Sequence, residues 1–166
     1  MKLFRKVFLF GLIVGSIFLL DLFTKQWAFE HLPHMADPYY PYGGKALYEG
    51  LFGGIDIALV YRINPGMAWS FFSEYPHILF WLRIVIAAII ALIYFISSRR
   101  FLEKVGLLFI LGGALGNIAD YIRYGAVVDM IKVTFWGWHY PVFNIADAAV
   151  VCGVILYLMS PRSSKR

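Results

Sequence analysis

Residues 112–147 decide the fold, and they read GGALGNIADYIRYGAVVDMIKVTFWGWHYPVFNIAD. The tetrapeptide Asn-Ile-Ala-Asp occurs twice in this stretch, at 117–120 and at 144–147, each time at the edge of a long apolar segment. A third acid, Asp129, lies between the two copies. Carboxylates at membrane depth are costly, so a chain that keeps several of them close together is expected to use them. We therefore interpret the rest of the chain as the scaffold that brings these acids together at one membrane face.

The composition is that of an integral membrane protein. Of the 166 residues, 61% are hydrophobic, and the mean hydropathy is +0.71. Such a chain is too apolar for a soluble domain, and its length predicts one membrane domain that covers residues 1–166. The basic residues cluster at the ends of apolar segments and form no continuous stripe, which argues against nucleic acid as a partner.

Four apolar segments predict a mainly α-helical protein with four transmembrane helices. The first segment follows a basic start and resembles a secretory signal peptide. No small-x-small cleavage site follows it, so we interpret it as a retained helix. The predicted helices cover roughly residues 5–24, 78–98, 105–120 and 142–160.

The two remaining segments, roughly residues 25–74 and 121–141, are predicted to lie outside the membrane. The first is rich in Gly and Pro, but residues 54–63 alternate apolar and other side chains and predict a strand that ends at Asn64-Pro65-Gly66. The second contains a run rich in β-branched and aromatic residues, 127–136, which predicts extended structure. A small β-rich cradle outside the membrane is therefore expected.

The placement of charge predicts the topology. Nine of the fifteen Lys and Arg residues lie in the N-terminus, the connection between helices two and three, and the C-terminal tail, where Glu103 is the one acid. The positive-inside rule then places both termini in the cytoplasm. The two Asn-Ile-Ala-Asp copies fall on antiparallel helices at the outer face, so they are expected to meet at similar depth.

Two neighbouring carboxylates support general acid–base chemistry. They cannot both ionise easily, so one keeps a proton that can polarise a carbonyl while the other accepts a proton from water, as in aspartic proteases. The spacing leaves the working pair open between Asp120–Asp147 and Asp129–Asp147. The chain has neither a His-Glu-x-x-His nor a Gly-x-Ser-x-Gly motif, and a metal-free site is favoured over one that holds Mg²⁺.

Simpler roles compete with catalysis at several positions. Asp120 could pair with Arg83 or Arg123 at a helix end, and Asp21 with Lys25 forms an i,i+4 pair that could only anchor the first helix. The same acids also permit two other functions. Asp120 and Asp147 could relay protons in a small transporter, or the chain could be a membrane scaffold without catalytic activity.

Five motifs together resemble the bacterial lipoprotein signal peptidases, the type II signal peptidases. They are spread over nearly the whole chain. The motifs are Asp-Leu-Phe-Thr-Lys at 21–25, Asn-Pro-Gly-Met-Ala-Trp-Ser at 64–70, Gly-Gly-Ala-Leu-Gly-Asn-Ile-Ala-Asp at 112–120, Gly-Ala-Val-Val-Asp at 125–129 and Phe-Asn-Ile-Ala-Asp at 143–147.

The resemblance implies an intramembrane aspartic endopeptidase of the bacterial inner membrane with Asp129 and Asp147 as its catalytic pair. It would cut diacylglyceryl-modified prolipoproteins before the lipidated cysteine, without a cofactor, as a monomer among membrane lipids. Seven further residues match motif positions that support the site or contact substrate: Asp21, Lys25, Asn64, Gly66, Asn117, Asp120 and Asn144.

The chain departs from the family pattern in two places. Tyr121 follows Asp120 where the family usually has Arg. The usual Asn-x-Gly-Ala-Ala-Phe is replaced by Asn-Pro-Gly-Met-Ala-Trp at 64–69. These changes concern the hydrogen bonding around Asp120 and the shape of the lipid-side pocket, and they leave the implied catalytic pair untouched.

Overall fold

The computed structural model describes residues 3–32, 44–66 and 71–160. The prolines at 33, 38 and 41, residues 67–70 of the second motif, and the basic tail at 162–166 lie outside the described residues. The described parts form four helices and four strands. In chain order these are α1 (Leu3–His31), β1 (Lys45–Leu51), β2 (Ile55–Asn64), α2 (Pro76–Ile96), α3 (Phe101–Tyr124), β3 (Val127–Phe135), β4 (Trp138–His139) and α4 (Ile145–Leu158).

Local sequence sets several helix ends. Pro76 opens α2, where its missing N–H leaves no hydrogen bond unmade. Gly125 ends α3 in the left-handed conformation, at φ 73°, and its N–H bonds to the carbonyl of Tyr121. Asn144 caps α4, because its side chain accepts a hydrogen bond from the backbone N–H of Asp147. The end of α3 and the start of α4, which lie on either side of β3, are therefore set by Gly125 and Asn144.

Helix α3 packs against each of the other three helices. Its small residues allow the approach: Gly112 faces Ile17 of α1, Gly113 faces the carbonyl of Ala146 on α4, and Gly116 leaves room for the carboxylate of Asp21. These glycines therefore form a packing surface for α1 and α4.

The four strands form one antiparallel sheet in the order β1-β2-β3-β4. The predicted strands at 54–63 and 127–136 are confirmed, and they pair with each other, so the two extramembrane segments build a single sheet. The register places Arg62 opposite Asp129. Ala28 and Leu32 pack with Val128 and Met130 and join the sheet to the end of α1.

The predicted bounds of three helices were wrong. Helix α3 covers Phe101–Tyr124 and not 105–120, so it extends four residues further at each end. Helix α1 continues to His31, so residues 25–31, which were predicted to lie outside the helix, belong to it. No helix breaker occurs there, and Ala28 is buried against the sheet. Helix α4 begins at Ile145 and not at 142, because the backbone of Phe143 hydrogen-bonds to Ile131 of β3. It has 14 residues.

Within the described residues, α1, α2 and α3 are long and apolar enough to cross a membrane, by length and composition. Helix α4 is apolar but shorter. The structure therefore has three candidate spans and a small antiparallel sheet. The fourth span, the placement of both termini in the cytoplasm and the single domain over 1–166 stay predictions.

Candidate active site

The acids singled out in the sequence gather where the sheet meets the helices. Asp129 lies on β3, Asp147 in the first turn of α4, Asp120 near the end of α3 and Asp21 in the second half of α1. The two Asn-Ile-Ala-Asp copies meet as predicted, since the Asn144 side chain donates to Asn117 Oδ1 at 3.1 Å. Five elements, including the end of β2 at Asn64, contribute to one polar cluster.

Asn144 connects Asp129 to Asp147. Its Nδ2 donates to Asp129 Oδ1 at 2.9 Å, and its Oδ1 accepts from the backbone N–H of Asp147 at 2.8 Å. Asn117 completes the connection, because its Nδ2 donates to Asp147 Oδ1 at 2.8 Å. The side chain of Asn144 is buried, so these contacts hold the two acids in fixed relation to each other.

Asp129 is 1% exposed. Burial, and after it the negative charge of Asp147, raise the pKa of its carboxyl to about 7, against the hydrogen bond from Asn64 and the charges of Lys25 and Arg62, which lower it. Asn64 Nδ2 donates to Asp129 Oδ2 at 2.9 Å. Near neutral pH the Asp129 carboxyl therefore exchanges readily between its protonated and ionised forms.

Lys25 forms the centre of a second, fully buried cluster. Its ammonium lies 2.6 Å from Asp21 Oδ2 and 2.7 Å from Asp120 Oδ2, and it donates to Asn117 Oδ1 at 3.0 Å. The predicted pair of Asp21 with Lys25 is confirmed, but it lies in the interior and also holds Asp120. The predicted pairing of Asp120 with Arg83 or Arg123 is wrong, because Asp120 forms its ion pair with Lys25 of α1.

Each acid of the Lys25 cluster holds the backbone next to one member of the Asp129–Asp147 pair. Asp120 Oδ2 accepts from the N–H of Val128, at 2.9 Å, and Asp21 Oδ1 accepts from the N–H of Ala146, at 2.8 Å. Val128 and Ala146 directly precede Asp129 and Asp147. Asp21 and Asp120 thus position the strand and the helix that carry the pair.

Gly66 and Arg83 close another side of the site. The N–H of Gly66 donates to Asn64 Oδ1 at 3.0 Å, and its carbonyl accepts from Arg83 at 3.1 Å. The charges of Asp147 and Asp129 both act on the guanidinium group of Arg83. Arg83 was not predicted to be a site residue, although a lone arginine inside an apolar helix is a signal of such a role.

Tyr121, which replaces the family's usual Arg, contacts α2 through its side chain. Its hydroxyl lies 2.8 Å from His77 Nδ1, and its ring stacks on Phe80 with centroids 4.7 Å apart. The side chain therefore joins α3 to α2. The hydrogen bonding of Asp120 is supplied by Lys25 and Val128 instead.

No set of three or more His, Cys, Asp and Glu side chains suited to a metal ion occurs in the described ranges 3–32, 44–66 and 71–160. Asp129 and Asp147 are held by amide groups of Asn64, Asn117 and Asn144. The arrangement can retain one proton, release another and orient a polar substrate group between the two carboxyls. A metal-free site stays a prediction.

Fold and site together define a multi-pass membrane protein with a pair of acids at one end of its helices, one of them buried, that asparagine side chains connect through hydrogen bonds. A family model described as signal peptidase (SPase) II matches residues 13–161. The chain belongs to this family, and the resemblance seen in its motifs is confirmed.

Curated relatives agree with this assignment. The lipoprotein signal peptidase of Wigglesworthia glossinidia brevipalpis is 34% identical over 159 residues, which cover 92% of this chain and 93% of the relative. The lipoprotein signal peptidase of Syntrophus aciditrophicus (strain SB) is 32% identical over 161 residues, 93% of this chain and 92% of the relative. The match therefore extends over nearly the full length of both proteins.

Two solved structures share the fold. Both are described as bacterial membrane enzyme structures determined by the in meso method, and each aligns with a TM-score of 0.74 at 23% identity. The alignments cover 100% and 99% of this chain, and 94% and 96% of the solved chains. At this identity the likeness concerns the fold alone.

Proposed function

We propose that this chain is an intramembrane aspartic endopeptidase that removes signal peptides from diacylglyceryl-modified prolipoproteins, cutting before the lipidated cysteine. The observation that carries the proposal is the link through Asn144, whose side chain bonds Asp129 on one side and the backbone of Asp147 on the other. Membership of the signal peptidase II family supports the peptidase activity. Relatives named lipoprotein signal peptidases support the substrate class.

In the proposed mechanism Asp129 holds the proton that the pair shares, in keeping with its pKa of about 7. Asp147 is less buried and takes a proton from a water molecule as that water attacks the peptide carbonyl. Asp129 donates its proton to the developing oxyanion. The proton on Asp147 then passes to the amide nitrogen of the cysteine as the peptide bond breaks, while Asp129 takes a proton back from a hydroxyl of the intermediate and the new carboxyl group forms. Each acid has then acted once as an acid and once as a base.

The other seven residues named from the sequence have positioning roles in this proposal. Asn64, Asn117 and Asn144 orient the carboxyls through their amides, and Gly66 orients Asn64. Lys25 neutralises the acids that fix the neighbouring backbone. The residues of this set are Asp21, Lys25, Asn64, Gly66, Asn117, Asp120 and Asn144.

The proposal places the enzyme in the bacterial inner membrane as a monomer, with four spans, both termini cytoplasmic and the acids at the outer face. Two observations support this arrangement. The acid cluster lies where the sheet meets α1, α3 and α4. A basic cluster that includes Arg5, Arg99 and Lys104 lies at the opposite end of the helices.

The test replaces each acid of the pair in the full chain, reconstituted in lipid with a diacylglyceryl-modified precursor. We expect Asp129→Asn and Asp147→Asn each to lower the cleavage rate by at least about 100-fold, because each removes one partner of the acid–base pair. Asp56→Asn is the matched control, since Asp56 is exposed on β2. Gel mobility of the precursor and its product gives the rate.

Two further arms separate the alternatives. A chelator should leave the wild-type rate unchanged, and the unlipidated precursor should be cut far more slowly. Near-wild-type cleavage by either folded Asn variant would refute the catalytic pair. Equal rates on lipidated and unlipidated precursor would refute the substrate class while leaving the peptidase activity in place.

A further inference from the structure

At the end of the helices opposite the acids, basic side chains line a cavity. The cavity has a volume of about 490 Å³ and opens between the start of α1 and the connection that joins α2 to α3. Among the described residues that line it, four are basic and none is acidic. Its lining includes Arg5, Lys6, Ser97, Arg99, Phe101 and Lys104.

Lys104 is the residue that marks this cavity as a site. As a whole residue it is 6% exposed, and none of the ion pairs found within the described ranges 3–32, 44–66 and 71–160 involves it. The neighbouring charge that acts on Lys104 is that of Lys6, which repels it. The charge of Lys104 lines the cavity with no described acid paired to it, so this position favours the binding of an anion.

Neighbouring polar groups fit the same anion. The hydroxyl of Ser97 is buried without a hydrogen-bond partner among the described residues. Helix α3 begins at Phe101, which lines the cavity, and the side chain of its N-cap residue, Arg100, makes no hydrogen bond to its first N–H groups. An ammonium, a hydroxyl and helix N-terminal amides are the donors that bind phosphate oxygens.

The neighbouring acid, Glu103, does not compensate the charge of Lys104. Glu103, on the first turn of α3, lies 3.8 Å from Arg99 and forms no ion pair with Lys104. Lys6 donates to the carbonyl of Phe95, and the hydroxyl of Tyr94 bonds to the carbonyl of Lys6, which fixes α1 against α2. The walls of the cavity are therefore set before any ligand binds.

The apolar surface beside the cavity favours a lipid over a free anion. Leu3, Phe4 and Phe101 are exposed at the same end of the helices, where acyl chains would cover them. We propose that this cavity binds the phosphate group of an anionic phospholipid, with its acyl chains against α1 and α3. Basic pockets between helices at a membrane surface bind anionic headgroups in this way. The inference is independent of the peptidase chemistry at the other end.

The experiment measures lipid binding to the full chain in mild detergent by native mass spectrometry. The probes are phosphatidylglycerol, phosphatidylcholine with the same acyl chains, and inorganic phosphate. We expect phosphatidylglycerol to bind at least about fivefold more tightly than phosphatidylcholine. Inorganic phosphate at millimolar concentration should not displace it.

Two pairs of variants test the site. Lys104→Gln should weaken phosphatidylglycerol binding about fivefold or more, whereas Arg100→Gln, which removes an exposed charge outside the cavity lining, should change it by less than about twofold. Lys104→Arg should retain most of the affinity. Arg5→Gln removes an exposed lining charge, so it provides a second test should Lys104→Gln not fold.

Three results would overturn the proposal. Equal losses in Lys104→Gln and Arg100→Gln would indicate general surface attraction. Equal binding of the two lipids would remove the role of the headgroup charge. Displacement by inorganic phosphate would make a free anion, and not a lipid, the occupant.

Discussion

At the scale of single residues, Asn144 makes two contacts at once, and its position in the sequence does not predict that it makes both. Its place three residues before Asp147 suggests that both side chains share a helix face. In the structure Asn144 instead caps α4 with its oxygen, which leaves its nitrogen directed at Asp129 on β3. One amide therefore orients a strand acid and a helix acid at once.

The raised pKa of Asp129 predicts how cleavage depends on pH. Because the carboxyl titrates near pH 7, the form of the pair that carries one proton becomes scarce above that pH. We expect kcat/KM to fall about tenfold per pH unit on this alkaline limb. Asn64→Ala should move the limb to higher pH, since the hydrogen bond from Asn64 lowers the pKa of Asp129. Initial rates between pH 5 and 9 measure both effects.

The same pKa predicts the direction of a stability change. The native carboxyl keeps its proton up to about pH 7, while the unfolded one loses it near 3.8. Stability from Asp129 is therefore greatest below the unfolded value and is lost as pH rises through the native value. The melting temperature of Asp129→Asn should rise relative to wild type between pH 5 and pH 8. A constant difference over this range would contradict the shifted pKa.

At the scale of elements, the contact of α3 with α4 depends on small residues. A Cβ on Gly113 would lie far inside contact distance of the Ala146 carbonyl oxygen, which is backbone and cannot move alone. The neighbouring N–H of Ala146 is held by Asp21. Separating the helices would therefore disturb both the packing and the position of Asp147.

Gly113→Ala is expected to destabilise the protein by about 1–3 kcal/mol, the usual range for overpacking, and to lower the cleavage rate. Thermal unfolding in detergent and the cleavage assay measure the two effects. Gly11→Ala is the matched control, because a Cβ there meets nothing within 4 Å and lies on another helix. Equal behaviour of the two variants would show that close approach of α3 and α4 is not needed.

The sequence carries stop signals for two helix ends that were nevertheless predicted two to four residues away, at 78 for the start of α2 and at 120 for the end of α3. Pro76 and Gly125 mark these two helix ends through their backbone preferences, which are visible in the sequence. The end of α1 and the start of α4 were misplaced, because tertiary contacts decide them. Ala28 packs on the sheet, and Phe143 pairs with Ile131.

At the scale of the whole molecule, the proposed topology can be tested by cysteine accessibility in a Cys152→Ala background. Glu49 on β1 and Arg100 before α3 are both exposed and lie at opposite ends of the helices. In whole cells a membrane-impermeant maleimide should label Glu49→Cys, which lies on the proposed outer side. It should label Arg100→Cys only after the cells are opened. Labelling of both, or of Arg100→Cys alone, would contradict the arrangement.

The sequence by itself determined the membrane class, the pairing of the repeated motifs, the strands and the family. These depend on hydrophobicity, charge placement and motif order, which are local or summed properties of the chain. The tertiary structure decided which acids share which partners. Lys25 reaches Asp120 across 95 positions of sequence, and Asn144 reaches both Asp129 and Asp147. Such contacts depend on the angle at which helices and strands meet, which residue spacing does not specify.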